Sequence, residues 1–326
     1  MSSMLPIYLA LTIVVVRYVM CLGSQLDDTY TEEELLEILL DENNEEAHTD
    51  GRMTTQTEPA YSKELFEGDI ATPGLTPTTA DKFIQGIPIH VPVSSAVRGH
   101  NRRHYTAVTS RYLLWPRGII PYKISRDFTK HQIYVLFAAF RDIEEASCVR
   151  FVPKAWLHLS YVYFIQDEGC WSSVGKQGGH QEVSLGRGCV KKGVVMHEMM
   201  HVMGFFHEQS RHDRDDYVTV HWENIYSDSF DQFHKFRPNE ANTLKTPYDY
   251  DSITHYGPRA FSYNLKPTLV PIKANVSIGQ RDHLSEIDIE RINRLYKCPI
   301  QPSAAESGEV VSTFTERVGT VHKWPW

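Results

Sequence analysis

The sequence predicts an α+β fold. Two kinds of pattern predict it: short apolar runs with the alternation of strands, and two longer runs whose apolar residues recur at helical spacing. Both lie in one stretch, from about residue 112 to residue 298, of continuous globular composition.

In chain order, "IIPYKI" (119–124) reads as a strand that starts where the turn residues of "WPRG" give way to apolar ones. "HQIYVLFAAFRDIEEA" (131–146) reads as a helix, and "HLSYVYFI" (158–165) and "QEVSLG" (181–186) as further strands. "VVMHEMMHVMGFF" (194–206) reads as a second helix in which Val195, Met196, Met199, Met200, Val202 and Met203 are core filler. No internal repeat and no added binding module is visible.

With 326 residues, 41% of them hydrophobic and 11% aromatic, the chain can bury a sizeable core. Its charge is unevenly spread. Residues 27–69 hold fifteen Asp or Glu against only Arg52 and Lys63, a net charge of −13, so the overall −8 leaves about +5 for everything else. The acidity therefore belongs to one leading segment and not to the folded body. No dense basic stripe supports a nucleic-acid partner.

The leading segment has its own organisation. An apolar run over residues 5–16 ends at Arg17, and Cys21 and Gly23 follow at positions suited to signal peptidase. That pattern predicts a secretory signal over residues 1–23 and an extracellular protein. The run is too short for a membrane span, which needs about 20 unbroken apolar residues. Next, "YTEEELLEILLDE" places Leu35, Leu36, Ile38, Leu39 and Leu40 at helical spacing, and Thr, Pro and Gly then dominate to about residue 80. The whole reads as a detachable leader over residues 24–103, with Arg102-Arg103 and nearby Arg98 as a cleavage point before a domain at 104–298. The weakly patterned tail at 299–326 is expected to be flexible.

Secretion bears on the cysteines. Cys21 leaves with the signal, and Cys148, Cys170, Cys189 and Cys298 remain as an even set. None has the close C-x-x-C spacing of a structural zinc cluster, so disulfides are expected, with three pairings open to the sequence alone.

The chemistry is concentrated in "HEMMHVMGFFHEQSRHDRDD". His197 and His201 stand four residues apart, so on a helix their imidazoles share one face and can meet a single Zn²⁺. Gly204 can take the left-handed conformation that ends the helix, letting His207 swing back as a third nitrogen ligand. Three protein ligands leave an open coordination position, as in a catalytic zinc. Glu198 adjoins the first ligand, where it can take a proton from water whose pKa the metal brings towards about 7.

This stretch closely resembles the extended zinc signature of the astacin family of metzincin metalloendopeptidases. The resemblance runs from "LLWPRGIIPY" through "GCWSSVGKQGGHQEVSLGRGC" and "YDYDSITHYG" to "IGQRDHLSEIDIERINRLYKC". It implies a zincin-type catalytic domain: two lobes flanking a cleft, a mixed twisted sheet, a long zinc-binding helix and one Zn²⁺. It implies His197, His201 and His207 as ligands, Glu198 as general base, and Tyr256 as a residue that ligates zinc or stabilises the oxyanion. It also implies disulfides Cys148–Cys298 and Cys170–Cys189, and Glu208 as the acid that receives the N-terminus freed by maturation.

In the leader, "FEGDI" resembles the family's propeptide motif, which makes Asp69 the carboxylate that fills the zinc's open position until an activating protease removes the leader. One departure stands out. The turn beneath the zinc normally carries methionine, and here it carries Thr254, which is expected to leave a gap and to require a hydrogen-bond partner.

The expected substrates are proteins or peptides, paired through "QEVSLG" as an exposed edge strand. The resemblance implies a preference for acidic residues just after the scissile bond; Arg281 in "IGQRDH" is a candidate charge partner, with a solvated surface arginine as the other reading. Asn275 in "NVS" is an N-glycan candidate. The function expected is that of a secreted, zinc-dependent endopeptidase made as a latent zymogen. A proteolytically silent zinc-binding protein that recognises polypeptides and a regulatory role for the released leader are the other classes, and the sequence names no physiological substrate.

Overall fold

The computed structural model describes residues 28–40, 62, 64–84, 107, 108, 110–237 and 243–299. The expected signal peptide, the cleavage region at Arg98, Arg102 and Arg103, and the tail beyond residue 299 lie outside the described residues.

A five-stranded sheet forms one half of the domain. Its strands are β1 (Ile119–Ile124), β2 (Arg150–Pro153), β3 (Tyr161–Ile165), β4 (Cys170–Ser172) and β5 (His180–Leu185), in the spatial order β2-β1-β3-β5-β4. All neighbours are parallel except β4 and β5. Parallel neighbours need a crossover, and helix α3 (Lys130–Ala146) supplies the one from β1 to β2. Thr129 and Gln132 close a capping box at its start. Ile133, Leu136, Ala139, Phe140 and Ile143 recur along one face and bury against the sheet, where Phe140 stacks on Phe151 at 4.1 Å between ring centroids.

One expectation is corrected here. "QEVSLG" is not an exposed edge: β5 pairs with β3 on one side and β4 on the other, and the edge is β4. The chain turns back on itself after β4, and the hairpin so formed places the later strand inside. The N-terminal segment around Asp69 already lies along that edge. Ser172 donates its N–H to the Asp69 carbonyl at 3.0 Å, and Ala71 donates to the Ser172 carbonyl at 2.8 Å.

Helix α4 (Lys192–Met203) runs beneath the sheet, buried at every position from Gly193 to Met203: its Val and Met side chains fill the core, and His197, Glu198 and His201 are buried among them. Beyond it the chain forms short 3₁₀ turns, a two-stranded antiparallel sheet of β6 (Val218–Val220) and β7 (Leu269–Pro271), and an aromatic core that includes Phe233, Tyr248 and Tyr256. Helix α5 (Glu286–Tyr296) closes the domain behind a capping box of Ser285 and Asp288. The four cysteines pair as Cys148–Cys298, which ties α5 to the end of α3, and Cys170–Cys189.

The N-terminal segment contributes two further helices, α1 (Glu32–Leu40) and α2 (Ala80–Ile84). Leu35 and Ile38 of α1 join the main core, whereas Leu36, Leu39 and Leu40 face solvent. The Tyr30 hydroxyl donates to the Phe128 carbonyl at 2.8 Å, and Arg126 pairs with Glu34 at 2.9 Å. Among the described residues no helix is long and apolar enough to cross a membrane.

Candidate metal centre

The helical spacing of His197 and His201 puts both rings on the same side of α4, and Gly204 brings in the third. Gly204 has φ +109°, and its N–H donates back to the His201 carbonyl at 2.7 Å to cap the helix. The chain then reverses, so the Nε2 atom of His207 comes within 3.3 Å of Nε2 of His197, which lies 3.1 Å from Nε2 of His201. All three histidines are buried.

The orientation of each ring is fixed from behind. Nδ1–H of His197 donates to the Ile253 carbonyl at 2.8 Å, and Nδ1–H of His201 to the Phe205 carbonyl at 2.8 Å. Nδ1 of His207 meets the Glu67 carboxylate at 2.9 Å. Three Nε2 lone pairs therefore face one another and the Asp69 carboxylate, which lies 3.0 Å from His197 and 3.2 Å from His207. Acceptors crowded together away from water call for a cation. A tetrahedral ion with Zn–N of about 2.0–2.1 Å spaces its ligand atoms by roughly 3.3 Å, which the imidazole separations match. The donor set of three imidazoles and one carboxylate suits zinc, and the ligand atoms of all four residues lie within 4.8 Å of one another.

The charge state without an ion follows from the same crowding. Burial lowers the pKa of His197 to about 4, with Arg281 adding to the effect, and burial takes His201 well below its usual value. Burial opposes a charged His207 too, but the Asp69 carboxylate and then Glu67 outweigh it and lift that pKa to about 9. Burial would raise Asp69, yet His207 and His201 hold it below the usual carboxylate range. Glu198 is pushed well above its ordinary value by burial and then by the nearby Asp69 charge, and its Oε2 has no hydrogen-bond partner.

Tyr256, wholly buried, donates its hydroxyl to the Glu67 carbonyl, and its ring lies 4.7 Å from that of His207. Glu208 is also buried. Its carboxylate takes a two-pronged ion pair from Arg291, at 2.7 and 2.9 Å, and the Asp249 N–H at 2.7 Å. Thr254 finds the partner its hydroxyl needs in Ser252 Oγ at 3.0 Å, which itself donates to Asp288 at 2.7 Å. Arg281 donates to the carbonyls of His255 and Gln280 at 2.9 and 2.8 Å, and Asn275 is exposed.

Sequence reasoning missed four residues that frame this centre: Glu67, Gln209, Asp288 and Arg291. Gln209 accepts the Tyr256 N–H at 3.0 Å, and Asp288 accepts that of Ile253 at 2.8 Å, steadying the turn whose carbonyl holds His197. Glu67 stood inside the quoted "FEGDI", and its signal was a second acid two residues before Asp69.

Comparison with known proteins agrees with this geometry. The peptidase family described as Astacin matches residues 107–297. The chain belongs to the astacin family. Two relatives from Caenorhabditis elegans are zinc metalloproteinase nas-15, 41% identical over 86% of this chain and 48% of its own length, and zinc metalloproteinase nas-13, 42% identical over 79% and 56%. The chain spans about half the length of these two relatives. Among solved structures it is similar to high choriolytic enzyme 1, a hatching enzyme zinc-protease from Oryzias latipes, with 39% identity, a TM-score of 0.53, and coverage of 60% of this chain and 95% of that one. The expected zincin-type α+β fold of the astacin domain is thereby established, and its cofactor is Zn²⁺, one ion per catalytic domain.

Proposed function

We propose that the protein is a secreted zinc-dependent endopeptidase made as a latent zymogen, with residues 1–23 as signal peptide, 24–103 as propeptide, 104–298 as catalytic domain and 299–326 as a flexible tail. The observation that carries this reading is the convergence of three Nε2 atoms on one buried point, with Glu198 beside it and the Asp69 carboxylate across its remaining face. His197, His201 and His207 would hold the ion. When bound, zinc acts as a Lewis acid that polarises the scissile carbonyl and brings the pKa of water towards about 7.

The chain's own residues supply the rest. Glu198 takes the attacking water's proton and delivers it to the leaving amine. The Tyr256 hydroxyl, now donating to the Glu67 carbonyl, is freed by loss of the leader to donate to the developing oxyanion. The edge of β4, whose Ser172 N–H and carbonyl are bonded to the leader, would bind an extended peptide by the same backbone groups. Arg281 is the charge partner for an acidic residue just after the cleaved bond.

Asp69 would silence the enzyme by filling the position that water needs, until an activating protease cuts near Arg103. Glu208 would receive the freed N-terminus. Because Arg291 already neutralises Glu208, the arriving amino group joins a satisfied pair instead of rescuing a stranded charge. Exposed Asn275 is the candidate glycan acceptor.

The test is cleavage of a denatured protein by the full chain before and after limited trypsin digestion, run beside Glu198→Ala with zinc measured in both. Activity is expected only after digestion, and the variant should keep zinc while losing about 10²–10⁴-fold in rate. A zinc-loaded, folded, digested wild type that cuts nothing would leave the protein as a zinc-binding recognition module.

A further inference from the structure

Two of the three histidines are oriented by acceptors within the domain itself, the carbonyls of Ile253 and Phe205. The third is not. Nδ1 of His207 meets Oε2 of Glu67, at 2.9 Å, and the backbone N–H of His207 donates to the same oxygen at 3.3 Å. Glu67 belongs to the leader. It is completely buried, and its other oxygen, Oε1, has no hydrogen-bond partner.

The backbone supports a specific role for this side chain. Glu67 has φ +49° and Gly68 has φ +82°, two successive left-handed residues that bend the leader so that Phe66 and Ile70 pair across the turn. The left-handed region suits glycine and is uncommon for a residue with a β-carbon. A glutamate held there, and buried as well, makes a contact that glycine could not: its side chain reaches His207. The same bend aims the Glu67 carbonyl at the Tyr256 hydroxyl and brings the Asp69 carboxylate to the three Nε2 atoms.

From this arrangement we infer that Glu67 is a positioning residue of the zinc site, lent by the leader: it holds His207 in the tautomer and orientation that present Nε2 to the ion. The inference rests on the reading of the histidine cluster as a zinc site and of the leader as the latent form's fourth ligand. It adds a second task to the leader, which secures zinc as well as blocking it. A carboxylate behind a ligating imidazole raises its basicity and fixes its ring, and loss of such a partner typically weakens metal affinity about 10–100-fold. The coupling is reciprocal, since a leader that tightens zinc must itself be tightened by zinc.

The experiment is zinc release from the full, uncleaved chain to an excess of a coloured chelator, with Glu67→Ala, Glu67→Gln and Asp69→Ala beside the wild type. The unfolding midpoint of each metal-free form is measured as well. Glu67→Ala is expected to release zinc about tenfold faster or more, while Glu67→Gln, whose amide oxygen still accepts from Nδ1, recovers most of the wild-type rate. Release from Glu67→Ala at the wild-type rate would overturn the inference and leave zinc retention to Asp69. Equal acceleration in both Glu67 variants, tracking a fall in metal-free stability, would also overturn it by making the role merely structural. A wild-type chain that holds no zinc would instead sink the metalloenzyme reading, and this inference with it.

Discussion

Asp69 and Thr254 show how far one position can be read alone. Asp69 is recognisable by its motif, and its geometry turns that resemblance into a prediction: Asp69→Ala should give the uncleaved chain measurable activity towards denatured protein, where the wild type has none. A silent, zinc-loaded Asp69→Ala chain would show that the rest of the leader blocks the cleft unaided. Thr254 was legible only as a departure. Its hydroxyl is satisfied by Ser252, so Thr254→Val should cost about 1 kcal/mol, read as a lowered denaturant midpoint with unchanged slope. A residue's hydrogen-bond partner is set by the turn it sits in, which periodicity does not encode.

At the scale of elements, two glycines fit α4 into the domain, Gly193 in its first turn and Gly204 at its C-terminal cap. A β-carbon on Gly193 would stand 1.6 Å from the Arg281 carbonyl oxygen, and backbone cannot swing aside. One on Gly204 would stand 2.6 Å from a Val108 methyl and would also strain a φ of +109°. Gly204→Ala is therefore expected to lose about 1–3 kcal/mol and Gly193→Ala more, with both measured by chemical denaturation of the zinc-loaded chain. The disulfides differ in reach. Cys148–Cys298 closes 150 residues and Cys170–Cys189 only 19, so chain entropy assigns them about 5 and about 3 kcal/mol. Replacing the long bridge by a pair of alanines should lower the melting temperature more than replacing the short one.

For the whole molecule, stability depends on pH through a buried acidic cluster between α5 and the Glu208 turn. Burial raises Asp249 to about 6, and the neighbouring Asp288 carboxylate adds to the effect. A carboxyl whose pKa is higher folded than unfolded stabilises the fold while protonated. That contribution is complete below about pH 4, the unfolded value, and is lost as pH rises through about 6. Asp249 therefore adds a downward slope to stability across that window, and Asp249→Asn should flatten it in a melting-temperature series. An unchanged slope would assign the titration elsewhere. Zinc acts on the same scale: binding to the folded chain alone must raise its stability, so chelation should lower the melting temperature of the full chain.

The α+β class, helices α3 and α4, the histidine–glutamate constellation and the family were all legible in the chain before any coordinates, because each is written in local sequence: two histidines four residues apart on one helix face, then a glycine where the helix must end. Only the folded molecule reveals which strand forms the edge, which cations meet Glu208, what satisfies Thr254, and that Glu67 stands behind His207. Those outcomes depend on pairings across 2 to 140 residues. Such contacts are selected by packing and by the need to satisfy buried polar groups, and neither leaves a period in the chain.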